Sequence, residues 1–180
     1  MKVIETNLLD AYIIKSDVYE DCRGSFMEAF NLKKFKKQIS SYEDFVQDNH
    51  SVSKKGVLRG LHYQIKNPQG KLVRCTSGKI LDVLVDLRES SLTFGQHTTI
   101  ILDEKYKQVW VPAGFAHGFY VLSDKADVVY KITDYYYPEY DRTLLWNDPQ
   151  LGIDWKIEKE PIVSKKDKIG KTFEECEKYD

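Results

Sequence analysis

The stretch Ile80–Arg88, ILDVLVDLR, decides the fold. Leu81, Val83, Val85 and Leu87 alternate with Asp82, Leu84, Asp86 and Arg88. A period of two gives a strand with one apolar face and one largely polar face. Leu72–Thr76 before it also reads as a strand, and Ser77-Gly78 between the two is expected to turn the chain back as a hairpin. Outward from this centre, short runs rich in Val, Ile, Thr, Tyr and Phe recur between turn residues as far as about Tyr137. They predict further strands near Ser25–Phe30, Phe45–Ser51, Val57–Gln64, Thr98–Leu102, Gln108–Val111, Gly118–Leu122 and Ala126–Tyr135. One early helix is expected, capped by Asn31, with Leu32, Phe35 and Ile39 on one side and lysines on the other. The charged tail after Pro161 is expected to close with a short helix around Phe173. Many short antiparallel strands within 180 residues indicate one mainly β domain, residues 1–180, with a few short helices. It is either a sandwich or a jelly roll, and periodicity does not choose between them.

Composition narrows the function. Hydrophobic residues make up 42% and charged residues 31%, the balance of a soluble globular chain. A net charge of −1 offers no bulk attraction to nucleic acid or to an anionic membrane, so an anionic ligand must be held by a few local cations. The opening MKVIETNLLD lacks the apolar centre of a signal peptide, and no apolar stretch is long enough to cross a bilayer. Cys22, Cys75 and Cys176 are odd in number and far apart. That spacing fits neither a disulfide framework nor a zinc site and points to a reducing cytoplasm.

Eight segments carry a more specific signal: DCRGSFMEAF from Asp21, FVQDNHSVSKKGVLRGLHYQ from Phe45, QGKLVR from Gln69, DVLVDLRESSLTFG from Asp82, VPAGFAHGFYVLSD from Val111, VVYKITDYYYPEYDR from Val128, WNDPQLGIDW from Trp146 and SKKDKIGK from Ser164. In order and across nearly the whole chain they resemble the dTDP-4-dehydrorhamnose 3,5-epimerase family of the cupin superfamily. Pro112, Gly114 and His117 also resemble the second cupin motif. The resemblance implies a cupin-type jelly-roll barrel and a homodimer. It also implies action on a dTDP-linked 4-keto-6-deoxy sugar, with neither metal nor other cofactor.

The implied reaction explains the residue types. A ketone at C4 acidifies the protons on C3 and C5. Inverting those carbons needs a base on one face of the ring, an acid on the other and a charge to hold the enolate. By resemblance His62 is the base, Asp167 the carboxylate that orients it, Tyr130 the proton donor and Lys71 the cation near the C4 oxygen. A neutral imidazole titrates near pH 6.5 and so accepts a proton at cellular pH. Read without the motifs, His62 and Tyr130 are ordinary polar core residues, while Lys71 and Asp167 are solvated charges. Alternation sets Lys71 with Val73 and Cys75, Tyr130 with Val128 and Ile132, and His117 with Phe119 and Val121, which favours an inward position for all three.

Arg23 and Arg59 match phosphate contacts, where a guanidinium binds in two-pronged fashion. Glu28, Gln47, Asp48, Asn49, His117, Asp141 and Lys166 match other ligand positions, and Asp141 stands where the family usually has glutamate. One of Tyr135, Tyr136 and Tyr137 is a candidate to stack on thymine. Metal-binding cupins carry two histidines as H-x-H plus a glutamate, whereas this chain reads GLHYQ, so no metal is expected. The alternatives are an epimerase acting at C3 or C5 alone, a metal-dependent cupin oxygenase and a non-catalytic sugar-binding barrel. Strict alternation would put Arg59 and His62 on opposite faces of one strand. If both serve one pocket, the strand must bulge or bend at Gly60.

Overall fold

The structure, a computed structural model, describes residues 1–39 and 44–180. In chain order the strands are β1 (Lys2–Glu5), β2 (Tyr12–Lys15), β3 (Val18–Asp21), β4 (Gly24–Met27), β5 (Gln47–Lys54), β6 (Val57–Gln64), β7 (Lys71–Ser77) and β8 (Ile80–Asp86). They continue with β9 (His97–Leu102), β10 (Lys107–Val111), β11 (Phe115–Val121), β12 (Lys125–Ile132), β13 (Asp141–Thr143) and β14 (Ile162–Val163). The helices are α1 (Leu32–Ile39) and the short α2 (Lys165–Lys168).

Two sheets face each other. The first runs β1-β2-β10-β7-β12-β5, and the second runs β13-β6-β11-β8-β9 with β14 beside β6. From β5 to β13 the chain crosses between sheets at almost every connection, with β8–β9 as the exception. This is the cupin-type jelly roll. The crossing also corrects the expected hairpin at Ser77-Gly78. β7 and β8 belong to different sheets and do not pair, so the turn carries the chain over the barrel edge. Gly78 has φ +83°, and a Cβ there would lie 2.1 Å from the Lys125 carbonyl oxygen, so the crossing requires glycine.

The interior core draws on both sheets, including Val73, Ile80, Leu84, Val109, Phe115, Phe119 and Val128. A second cluster covers the outer side of the second sheet, where Trp155, Phe173 and Cys176 of the C-terminal region pack on Leu81, Val83, Val85 and Leu87. The strand Ile80–Asp86 is therefore buried on both faces, and its face with two aspartates is the one that looks into the barrel. The expectation of one wet face fails because the tail supplies a second apolar layer.

Outside the first sheet, Phe35 and Ile39 of α1 pack on Ile14, Leu72 and Trp110. The Phe35 and Trp110 rings meet edge to face at 5.1 Å. Asn31 caps this helix as expected, its Oδ1 accepting from the Lys34 N–H at 3.1 Å. The tail helix is displaced from the expected place. It lies at Lys165–Lys168, while Phe173 sits in a turn and serves as a packing residue.

Candidate active site

The site begins with an irregularity in β6. Its pairing with β11 runs His62 opposite His117, then Arg59 opposite Phe119, so Gly60 and Leu61 together face Gly118. Two residues against one make a β-bulge, as the sequence requires if Arg59 and His62 share a pocket. Gly60 has φ +126°, and a Cβ there would lie 2.6 Å from Gly118 Cα. A Cβ on Gly118 would in turn lie 2.6 Å from the Arg59 carbonyl oxygen. The glycine pair permits the close approach of the two strands. Leu58, Leu61 and Tyr63 turn to the outer cluster, while Arg59 and His62 line one cavity of about 400 Å³ inside the barrel.

Asp167 meets His62 from the tail. Ser164 caps α2 by accepting the Asp167 N–H at 3.1 Å, which sets the carboxylate over β6. His62 Nε2 lies 2.7 Å from Asp167 Oδ1, and the Gly60 N–H donates to Oδ2 at 3.3 Å. Asp167 is 3% exposed, so the lysines around it do not leave it solvated. Burial pushes its carboxyl up, but the hydrogen bond and charge of His62, with the Gly60 N–H, outweigh that and hold it below the ordinary carboxylate value. An ionised carboxylate only accepts, so His62 Nε2 carries its proton toward Asp167 and Nδ1 is left for chemistry.

The opposite wall belongs to the other sheet. Lys71 on β7 and Tyr130 on β12 both line the cavity. Lys71 is buried and donates from Nζ to the His62 carbonyl oxygen at 3.0 Å. Burial lowers its pKa to about 8, against the pull of Asp141 and Asp82 in the other direction. Tyr130 packs against the interior core beside Val128. From β5, Gln47 and Asn49 also line the cavity, and their side chains are bonded to each other at 2.9 Å. Asp48 between them alternates outward and pairs with Lys131 at 2.9 Å.

His117 is buried in the cavity wall, its Nε2 2.8 Å from Asp82 Oδ1. Arg59 Nε donates to Ser53 Oγ at 3.0 Å. At the rim Asp141 pairs with Lys166 and accepts from the Tyr136 hydroxyl at 2.9 Å. Tyr136 is thus the member of the tyrosine run that lines the cavity. Arg23 and Glu28 are not brought there. Arg23 pairs with Asp21 on the β3–β4 ribbon at 2.6 Å, and Glu28 binds Lys34 at 2.7 Å. Sequence reasoning missed Asp82, which holds His117, Ser53, which holds Arg59, and Gln64, which lines the cavity. Asp82 was visible as an acid on an alternating strand, but the inward direction of its face was not. Among the described residues no group of three or more His, Cys, Asp or Glu side chains is placed to hold a metal ion. Imidazole–carboxylate pairs, a phenol and a partly desolvated ammonium around one cavity suit proton transfer at carbon next to a carbonyl.

The dTDP-4-dehydrorhamnose 3,5-epimerase family matches residues 5–175. A protein of that name from Neisseria gonorrhoeae is 52% identical over 99% of this chain, which spans only 54% of that relative's length. Another from Pseudomonas aeruginosa is 48% identical over 98% of each chain. Among solved structures, the 3,5-epimerase of Legionella pneumophila in complex with dTDP-4-keto-L-rhamnose superposes with a TM-score of 0.95. It is 46% identical, covering 98% of this chain and 94% of that one.

Proposed function

From the premise that this chain belongs to the dTDP-4-dehydrorhamnose 3,5-epimerase family, we propose that its barrel cavity converts dTDP-4-keto-6-deoxy-D-glucose to dTDP-4-keto-L-rhamnose. One observation carries the assignment of roles: His62 and Tyr130 stand on opposite sheets and line the same cavity. A ring held between them has a base on one face and an acid on the other. His62 Nδ1 takes the proton from C3 or C5, and Asp167 stabilises the imidazolium that results. The electron pair moves onto the C4 oxygen, where the buried Lys71 ammonium meets the enolate charge. Tyr130 then returns a proton to the opposite face. Arg59 and Lys166 supply cationic contacts for the diphosphate, with Gln47, Asn49, His117 and Asp141 as further ligand contacts and Tyr136 beside the base.

The chain acts as a homodimer in this reading. Arg23 and Glu28 match ligand positions yet lie outside their own cavity, on and beside a ribbon whose Tyr19 and Phe26 are exposed. A second copy gives that ribbon a place to dock and gives the cavity its remaining contacts. Three free cysteines accord with a cytoplasmic location.

The test is NMR of dTDP-4-keto-6-deoxyglucose incubated with the protein in D2O. Deuterium at both C3 and C5 is expected. Label at one carbon alone would replace the double epimerase with a single-site enzyme, and no label would refute the proton-transfer roles.

A further inference from the structure

Two aspartates on β8 face the barrel interior, and both are fully buried. They are treated very differently by their surroundings. Asp86 is saturated: it accepts from the Arg88 backbone N–H, the Arg88 guanidinium, Ser91 and Thr93. That is how a structural buried carboxylate is kept. Asp82 has one bond, from Oδ1 to His117 Nε2 at 2.8 Å. Its Oδ2 is buried and finds no donor among the described residues. Its neighbours across the sheet are Phe119 and Ile100. Holding a carboxylate among apolar residues for one hydrogen bond is unfavourable, and an uncharged residue could fill the space. The charge therefore has work to do in the cavity.

We propose that Asp82 is a positioning residue of the epimerase: it takes the Nε2–H of His117, so that Nδ1 is the ring nitrogen left to the substrate. The reasoning for the ring is the one that applies to His62 and Asp167, since a carboxylate has no proton to give. His117 and His62 stand opposite each other in register on neighbouring strands. The cavity thus holds two imidazoles, each backed by its own aspartate. The charge of Asp82 also bears on Lys71. Asp141 and Asp82 both oppose the burial that drives Lys71 toward its neutral form. Besides Lys71 and Asp141, the titratable groups lining the cavity are Lys166, His62, His117, Tyr63, Tyr130 and Tyr136, with Arg59 as a further fixed charge.

The activity part of the inference rests on the epimerase reading; the ring assignment does not. Two experiments test them. The first is a long-range 1H–15N spectrum of the wild-type protein labelled with 15N-histidine, whose four imidazoles are assigned by single substitution. A proton on His117 Nε2 is expected. A bare Nε2 overturns the assignment whatever the enzyme turns over, and this arm needs no variant of Asp82 to fold. The second is Asp82→Asn, which keeps the shape and removes the charge. It should bind dTDP within about threefold of wild type, lose roughly 10- to 100-fold in kcat, and show its alkaline limb of activity moved to lower pH. A wild-type kcat, or a reduced kcat with the limb unmoved, overturns the role.

Discussion

Lys71 carries its ammonium where a cation is costly. Its folded pKa of about 8 lies below the 10.5 of an exposed lysine. Between those values the unfolded chain binds the proton more tightly, so this residue's contribution to stability rises with pH across that window. Below pH 8 both states are protonated and the whole cost of the buried charge stands. Lys71→Met should therefore be more stable than wild type at pH 7, by at most about 3 kcal/mol at 1.36 kcal/mol per pKa unit. The advantage should shrink as pH rises toward 10, and urea unfolding at several pH values measures it. A variant less stable than wild type at pH 7 would mean that the bond to the His62 carbonyl outweighs desolvation. The same lysine sets a limit on catalysis. kcat/KM for the wild type should fall on the alkaline side near pH 8, as the free enzyme loses the ammonium. In kcat the limb should move upward, because a bound diphosphate and a developing enolate favour the charged form. Superimposable limbs in the two profiles would remove Lys71 from the reacting centre.

Where a strand carries its side chains depends on what covers it, and that is the part of the fold least legible in the sequence. Period two in Ile80–Arg88 correctly predicted a strand but not which face is inside, because the residues that cover the apolar face, Trp155, Phe173 and Cys176, come from the distant C-terminal region. The supposed hairpin at Ser77-Gly78 failed for a related reason: a turn signal fixes a reversal of the chain, not whether the next strand joins the same sheet. The bulge in β6 was legible, because Arg59 and His62 in one pocket are incompatible with alternation and a glycine stands between them. That bulge makes Gly118 a testable position. Unlike Gly60 it is not held at positive φ, so a substitution there reports sterics alone. In Gly118→Ala the new methyl would meet backbone atoms of Arg59 and Gly60, at 2.6 and 3.0 Å. Backbone cannot swing aside as a side chain can. The strands must part, at a cost of roughly 1–3 kcal/mol, and Arg59 and His62 must shift with them. Thermal unfolding should show the loss of stability, and kcat should fall at temperatures where the variant is still fully folded. Full activity in a destabilised variant would separate the bulge from the chemistry.

At the scale of the whole molecule, the jelly roll brings His62 and Tyr130 to one cavity from strands far apart in sequence, one from each sheet. By resemblance His62, Lys71, Tyr130 and Asp167 belong to one site; the fold sets the first three around one cavity and places Asp167 against the His62 ring. Arg23 and Glu28 come from equally clear motifs but land elsewhere. A linear sequence states which residues serve a site, not whether they serve the site of their own copy. The two possibilities differ in a mixing experiment. Arg23→Ala and His62→Ala should each impair epimerisation when made alone. If the two variants are unfolded, mixed in equal amounts and refolded, half of the dimers pair one variant with the other. With Arg23 acting across the interface, the cavity of the Arg23→Ala chain keeps its own His62 and receives an intact Arg23 from its partner. The other cavity of that dimer carries both lesions. One wild-type cavity in every mixed dimer restores about a quarter of wild-type activity. If Arg23 served its own cavity, every site would retain one lesion and mixing would restore nothing beyond the average of the two parents. Recovery on mixing would therefore establish that the ribbon completes its neighbour's active site, and its failure would return Arg23 to its own chain.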